Sequence, residues 1–109
     1  MNWSTHDPLD AATEALSTLA EYLERSLDSG KSLILVRSQS DKSEVYLGDA
    51  GEPQADWQRC GVVRNAVVSA ILEATRSGHN ELDIGGQTYR FVRTFTQVEN
   101  HGAVVISAS

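Results

Sequence analysis

A single cysteine, Cys60, stands in a chain of 109 residues, so no internal disulfide can staple the fold. Its neighbours Trp57, Val63 and Arg64 suggest a helix, where a free thiol serves as a small buried apolar residue. Long apolar runs are missing too. No stretch approaches the roughly 18 residues needed to cross a membrane. No basic-then-apolar leader opens the chain, so a cytoplasmic protein is expected. Positive charge is also scarce: nine Lys and Arg face fifteen Asp and Glu, a net charge of -6. Such a surface repels phosphate backbones and anionic lipid heads, which disfavours nucleic acid and membranes as partners. The acids are spread along the chain, and no acidic run is long enough to mimic a polynucleotide.

Reactive constellations are absent as well. His6, His79, His101 and Cys60 show no spacing of the CxxC or HxxxH kind, so no metal site is expected. Serines are plentiful, but none sits in a nucleophile-elbow sequence. Glu81 and Asp83 alternate along an edge strand, where carboxylates serve solubility. "DIGGQ" lacks the following helix and the Lys-Ser/Thr pair of a phosphate loop. No catalytic residue and no cofactor is expected, and the chain reads as a non-enzyme.

What is present suffices for one small core. The length fits a single domain over residues 1–109, with 1–6 loosely held. A domain of this size buries only about two-thirds of its unfolded surface, so pairing with a second copy would help it.

"HDPLDAATEALSTLAEYLERSLDSG" is the clearest helix. Asp7 can cap it and Pro8 fits its first position. Leu9, Ala12, Leu16, Leu19, Leu23 and Leu27 form one apolar stripe, and Gly30 ends it. "LILV", residues 33–36, is apolar on both faces, as an interior strand should be. "SEVYLG" alternates, with Val45 and Leu47 facing in and Glu44 and Tyr46 facing solvent. After the loop "GDAGEPQAD", Asp56 caps a second helix, "WQRCGVVRNAVVSAILEATRSG". Its stripe is Trp57, Cys60, Val63, Val67, Ala70, Ile71 and Ala74, and Val62, Ala66 and Val68 widen it. An apolar surface that broad covers a sheet on one side and touches a neighbour on another.

"ELDIGGQTYRF" reads as a hairpin with Gly85-Gly86 at the tip. That register sets Ile84 opposite Gln87, Leu82 opposite Tyr89 and Glu81 opposite Arg90. Leu82, Ile84, Tyr89, Phe91 and Phe95 then share the core face. Arg90 falls on the other face, as a cross-strand partner of Glu81 worth under about 1 kcal/mol. Burying Tyr89 and Phe91 also removes the exposed aromatic platform that RNA-binding strands use. Arg93 breaks the alternation and points at the core, re-aimed by a bulge or lying at the rim with its head in water. The last strand, "AVVISAS", returns through "ENHG", with Val104 and Ile106 on the side of Phe95.

The expected fold is α+β: helix, two strands, helix, three strands. The antiparallel sheet has five strands in the order 2-1-5-4-3, packed with two helices. The uncharged strands "LILV" and "AVVIS" lie side by side at its centre.

From the amphipathic helix through "SLILVRSQSDKSEVYLGD", the Trp-led apolar helix and "GGQTYRFVRTFTQVENHGAVVISAS", this order resembles the Roadblock/LC7 family. It resembles the profilin-like and longin sheets more loosely. The loop "GDAGEPQAD" departs from the family, as does the lack of the last helix that many members have. The resemblance implies a non-catalytic homodimer joined through its second helices and third strands, which contacts a small GTPase or another regulator. The expected interface is then Val62, Ala66 and Val68 with the edge strand Glu81, Leu82, Asp83 and Ile84, and Arg93 is a further candidate. Two alternatives remain open. One is a small acidic secretion-type chaperone, a class that places three strands before its second helix and ends with a helix. The other is an inhibitor or immunity protein from a mobile element that binds a target protein.

Overall fold

The computed structural model of the chain describes residues 8–109. Helix α1 spans Pro8–Ser29. The cap expected at Asp7 lies outside the described residues, as do Trp3 and His6. The buried face of α1 runs through Ala15, Leu19, Leu23 and Ser26, with Leu16, Ala20 and Tyr22 half-buried beside it. The expected stripe is therefore corrected at Ala12 and Leu27, which are both exposed. A serine replaces the leucine because the helix end must be satisfied: Ser26 Oγ donates to the Lys31 carbonyl, and the Gly30 N–H donates to the Ser26 carbonyl.

Strand β1 is Ser32–Val36 and β2 is Lys42–Gly48, paired antiparallel from Ser32–Gly48 to Val36–Glu44. A single 3-10 turn, Gln54–Asp56, follows. The chain then departs from expectation. The long second helix is corrected, because Gln58–Arg64 forms an edge strand, β3, and helix α2 is only Asn65–Ala74. Gly61 and the adjacent Val62 and Val63 are weak helix formers, and the valines suit a pleated surface. The free edge of β2 supplies the partner, with Lys42 opposite Arg64 and Leu47 opposite Gln58 around a bulge. Asp56 thus caps no helix. The residue before α2 is Arg64, which makes no side-chain cap.

Strands β4 (Gly78–Ile84), β5 (Gln87–Val98) and β6 (His101–Ala108) complete the chain. The β4–β5 hairpin has the register read from the sequence: Ile84–Gln87, Leu82–Tyr89 and Glu81–Arg90. Gly85 and Gly86 take φ of 60° and 84°, which a primed two-residue turn requires. The β5–β6 turn is tighter than "ENHG" suggested. Only Glu99 and Asn100 turn, both at positive φ, and Val98 pairs with His101. Phe95 then faces Val104.

The expectation of five strands in the order 2-1-5-4-3 is corrected to six, all antiparallel, in the order β3-β2-β1-β6-β5-β4. The uncharged strands β1 and β6 pair with each other at the centre. Both helices lie on one face. Leu19, Leu23 and Ile71 close there over Leu33, Val45, Phe91 and Ile106, all of them at most 2% exposed.

The second face is not left to water. Ile34, Val36, Val105 and Tyr46 are buried there together with Trp57. The loop after β2 folds back across the sheet and lays the Trp57 ring beside Tyr46, with centroids 5.7 Å apart. The indole N–H donates to the Asp49 carbonyl at 2.7 Å, so the ring is anchored at its polar end. The half-solvated face expected for β2 is corrected accordingly. A Cβ at Gly48 would overlap the Trp57 ring, so only glycine admits it. Among the described residues no helix is long and apolar enough to cross a membrane.

Candidate functional site

The eight candidate interface residues fall into three groups. Val62 lies on β3 instead of a helix and is 44% exposed, on the sheet's outermost strand. Ala66 is exposed on the first turn of α2, whereas Val68 turns into the core. Glu81 and Asp83 are exposed on β4, the opposite edge, and Leu82 and Ile84 are half-buried against the helices. The eight residues therefore do not share one continuous surface. Val62 and the Glu81–Ile84 segment sit at opposite ends of the sheet.

Arg93 is inside the protein, at 7% exposure. Strict alternation along β5 points it to the helix side, and no bulge interrupts its pairing between Gly78 and Ile106. Its guanidinium donates to the Leu72 carbonyl at 3.0 Å, to Thr75 Oγ1 at 2.7 Å and to Ser77 Oγ at 3.3 Å. It also lies over the Phe95 ring, 5.2 Å from the centroid. These partners are the last turn of α2 and the link after it. Both readings made for Arg93, a bulge or a wet rim, are corrected to a buried clamp at a helix C-terminus, where carbonyl dipoles favour a cation.

Arg90 pairs with Glu81 at 2.9 Å, and both side chains are more than half exposed. Tyr89 donates to Glu24 Oε2 at 2.5 Å, which ties β5 to α1. Cys60 is half-buried on the bulged strand β3, not on a helix. Burial pushes its thiol above the ordinary range, so the reactive thiolate is disfavoured. Among the described residues no three His, Cys, Asp or Glu gather as metal ligands would.

One largely apolar concavity is a feature that sequence reasoning missed. It lies between α2 and the ends of β1, β5 and β6, with a volume of ≈ 340 Å³. Leu35 and Val104, both buried, form its floor, and Val68 and Leu72 of α2 form one wall. Phe95, expected in the core, stands at its opening with 57% of its surface exposed. At the polar margin Ser43 Oγ donates to Asn65 Oδ1 at 2.5 Å, and Asn65 Nδ2 donates to the Gln39 carbonyl at 3.1 Å. Arg37 also lines the cavity, with its backbone N–H held by the Gly102 carbonyl at 2.9 Å. The available signal was the run "TFTQV": β5 continues to Val98, and a strand that outruns the covering helix leaves its inward residues bare.

No family model matches the chain, and no curated protein and no solved structure matches it either.

Proposed function

We propose that the chain is a non-catalytic protein–protein interaction module, a small regulatory or adaptor protein that acts as a homodimer. A small GTPase is the partner class that the Roadblock/LC7 resemblance implies. The observation that carries this reading is the outer edge of β3. The strand is seven residues long, has no neighbour beyond it among the described residues, and exposes Val62 at 44%. An uncovered edge of this kind is a template for another strand.

The β4 edge supports self-association less well. Two β4 strands laid antiparallel would bring the Glu81 and Asp83 carboxylates of both copies together, and like charges across strands are unfavourable. Arg59 and Arg64 of β3 are instead already paired, with Glu44 at 3.4 Å and Glu14 at 3.6 Å. Light scattering at micromolar concentration is the test, with Val62→Lys as the disrupting variant. The wild type should weigh as a dimer and Val62→Lys as a folded monomer. A wild-type monomer overturns the reading.

One observation favours the chaperone reading as second. Three strands precede α2, not two, and that is the arrangement secretion-type chaperones share. Such a protein would hold an effector segment in extended form along the same edge. The distinction is whether β3 is occupied by a second copy or remains free to take a peptide strand when the protein is dimeric through another surface.

A further inference from the structure

We infer that the cavity between α2 and the β5–β6 hairpin is a binding site for a small amphiphilic carboxylate, an apolar chain or ring that ends in a single –COO⁻. This goes beyond the protein-binding reading and uses neither sheet edge.

Size and lining define the apolar part of the ligand. A volume of ≈ 340 Å³ falls at the lower end of small-molecule sites, room for a body of several carbons. Leu35, Val68, Leu72 and Val104 offer that body only hydrocarbon. Phe95 supplies a ring that the protein itself leaves mostly uncovered. An occupant in the cavity would cover it.

Charge defines the head. Arg37 is the only charged residue that lines the cavity, and no Asp or Glu lines it among the described residues. Arg37 makes no ion pair within those residues. Ser43 and Asn65 are already committed to each other. The one free polar group of high strength at the margin is therefore a cation, and its complement is an anion. The chain's net charge of -6 sets the limit on that anion, because each added negative charge meets the repulsion of the whole surface. A monoanionic carboxylate satisfies Arg37 at the least cost. A dianionic phosphate ester does not.

The test uses octanoate as the probe, followed by methyl NMR of the intact chain, with 1-octanol and octylammonium as uncharged and cationic analogues. Octanoate should shift the methyls of Leu35, Val68, Leu72 and Val104 saturably. It should bind more tightly than 1-octanol, and octylammonium should bind most weakly. Arg37→Gln should weaken octanoate by roughly three- to tenfold, the range of one exposed charge pair, and leave 1-octanol unchanged. Leu72→Trp should fill the cavity and abolish binding of both. Ser69→Trp, at an exposed position on the rim, does the same without demanding core space. Absence of saturable shifts, shifts centred elsewhere, octylammonium equal to octanoate, or undiminished octanoate binding in Arg37→Gln would each overturn the assignment. So would full octanoate binding in a folded tryptophan variant.

Discussion

Arg93 Nη1 donates to the Leu72 carbonyl at 3.0 Å, so a strand residue closes the last turn of a helix. The same guanidinium holds Thr75, whose hydroxyl in turn donates to the Ile71 carbonyl at 2.8 Å. A buried cation is costly unless its donors are occupied; here the partners of Nη1 and Nη2 are dipoles with no carboxylate among them, and Nε is buried without a partner. Arg93→Met should lose about 2–3 kcal/mol in urea denaturation, because the Leu72 carbonyl and the Thr75 and Ser77 hydroxyls lose the donor that holds them. Arg93→Lys should restore only part of that, since an ammonium cannot span the three acceptors that the planar fork reaches. A loss within about 0.5 kcal/mol for Arg93→Met would remove the clamp from the account.

Gly48 and Trp57 are fitted to one another, and that fit covers the second face of the sheet. A methyl at residue 48 meets the middle of the indole, not a flexible tip. Gly48→Ala should therefore displace the ring, expose part of Ile34 and Val105, and cost about 1–3 kcal/mol. Loss of the Trp57 near-ultraviolet circular dichroism should accompany it. Retention of that signal with unchanged stability would mean the loop yields easily, and that the second face has little need of it.

Residues whose environment is set nearby along the chain were legible; those set by distant cover were not. The β4–β5 register followed from Gly85-Gly86 and the alternation on either side, both local properties. Central placement of β1 and β6 followed from their lack of charge on either face. The segment from Gln58 to Arg64 misled because Cys60 and Val63 fit a helical stripe as well as a strand. Only the free edge of β2, distant in sequence, decides between them. Tyr46 looked solvated because the loop that buries it reads as coil. Arg93 looked anomalous because its partners lie 16 to 21 residues away, on a helix end whose position the sequence does not mark. Neither the cavity nor the exposure of Phe95 could be seen without knowing that α2 has only ten residues.

All three tyrosines are held above their ordinary value of 10.0. Burial does most of this for Tyr22 and Tyr46, while for Tyr89 the leading cause is its hydrogen bond to Glu24. The neutral phenol is thus favoured in the folded state. In the unfolded chain each ionises near 10, so the stabilisation is complete below that pH and is lost as pH rises through the higher folded values. Ultraviolet titration of the native protein should show each tyrosine ionising at higher pH than a free phenol, and unfolding in base should release all three together. Tyr89→Phe should flatten part of the decline in stability above pH 10. A tyrosine that ionises normally in the native state would contradict the packing described for it.

Phe91 and Phe95 lie on the same face of β5, two pleat repeats apart with Arg93 between them, and differ in what covers them. Phe91 is 0% exposed beneath the helices, and Phe95 is 57% exposed beyond the reach of α2. Phe91→Ala removes a fully buried ring and leaves a cavity, a loss of about 3–5 kcal/mol. Phe95→Ala removes a ring that is largely wet in both states and should cost under about 1 kcal/mol. Both are read from the same urea titrations, run at two protein concentrations. If Phe95→Ala proves as damaging as Phe91→Ala, the ring must be covered in solution by something outside the chain. A second copy as that cover would make the wild-type midpoint rise with protein concentration, and Phe95→Ala would abolish the rise. A rise with concentration that survives Phe95→Ala, with a small loss for that variant, leaves the ring as the open wall of the cavity.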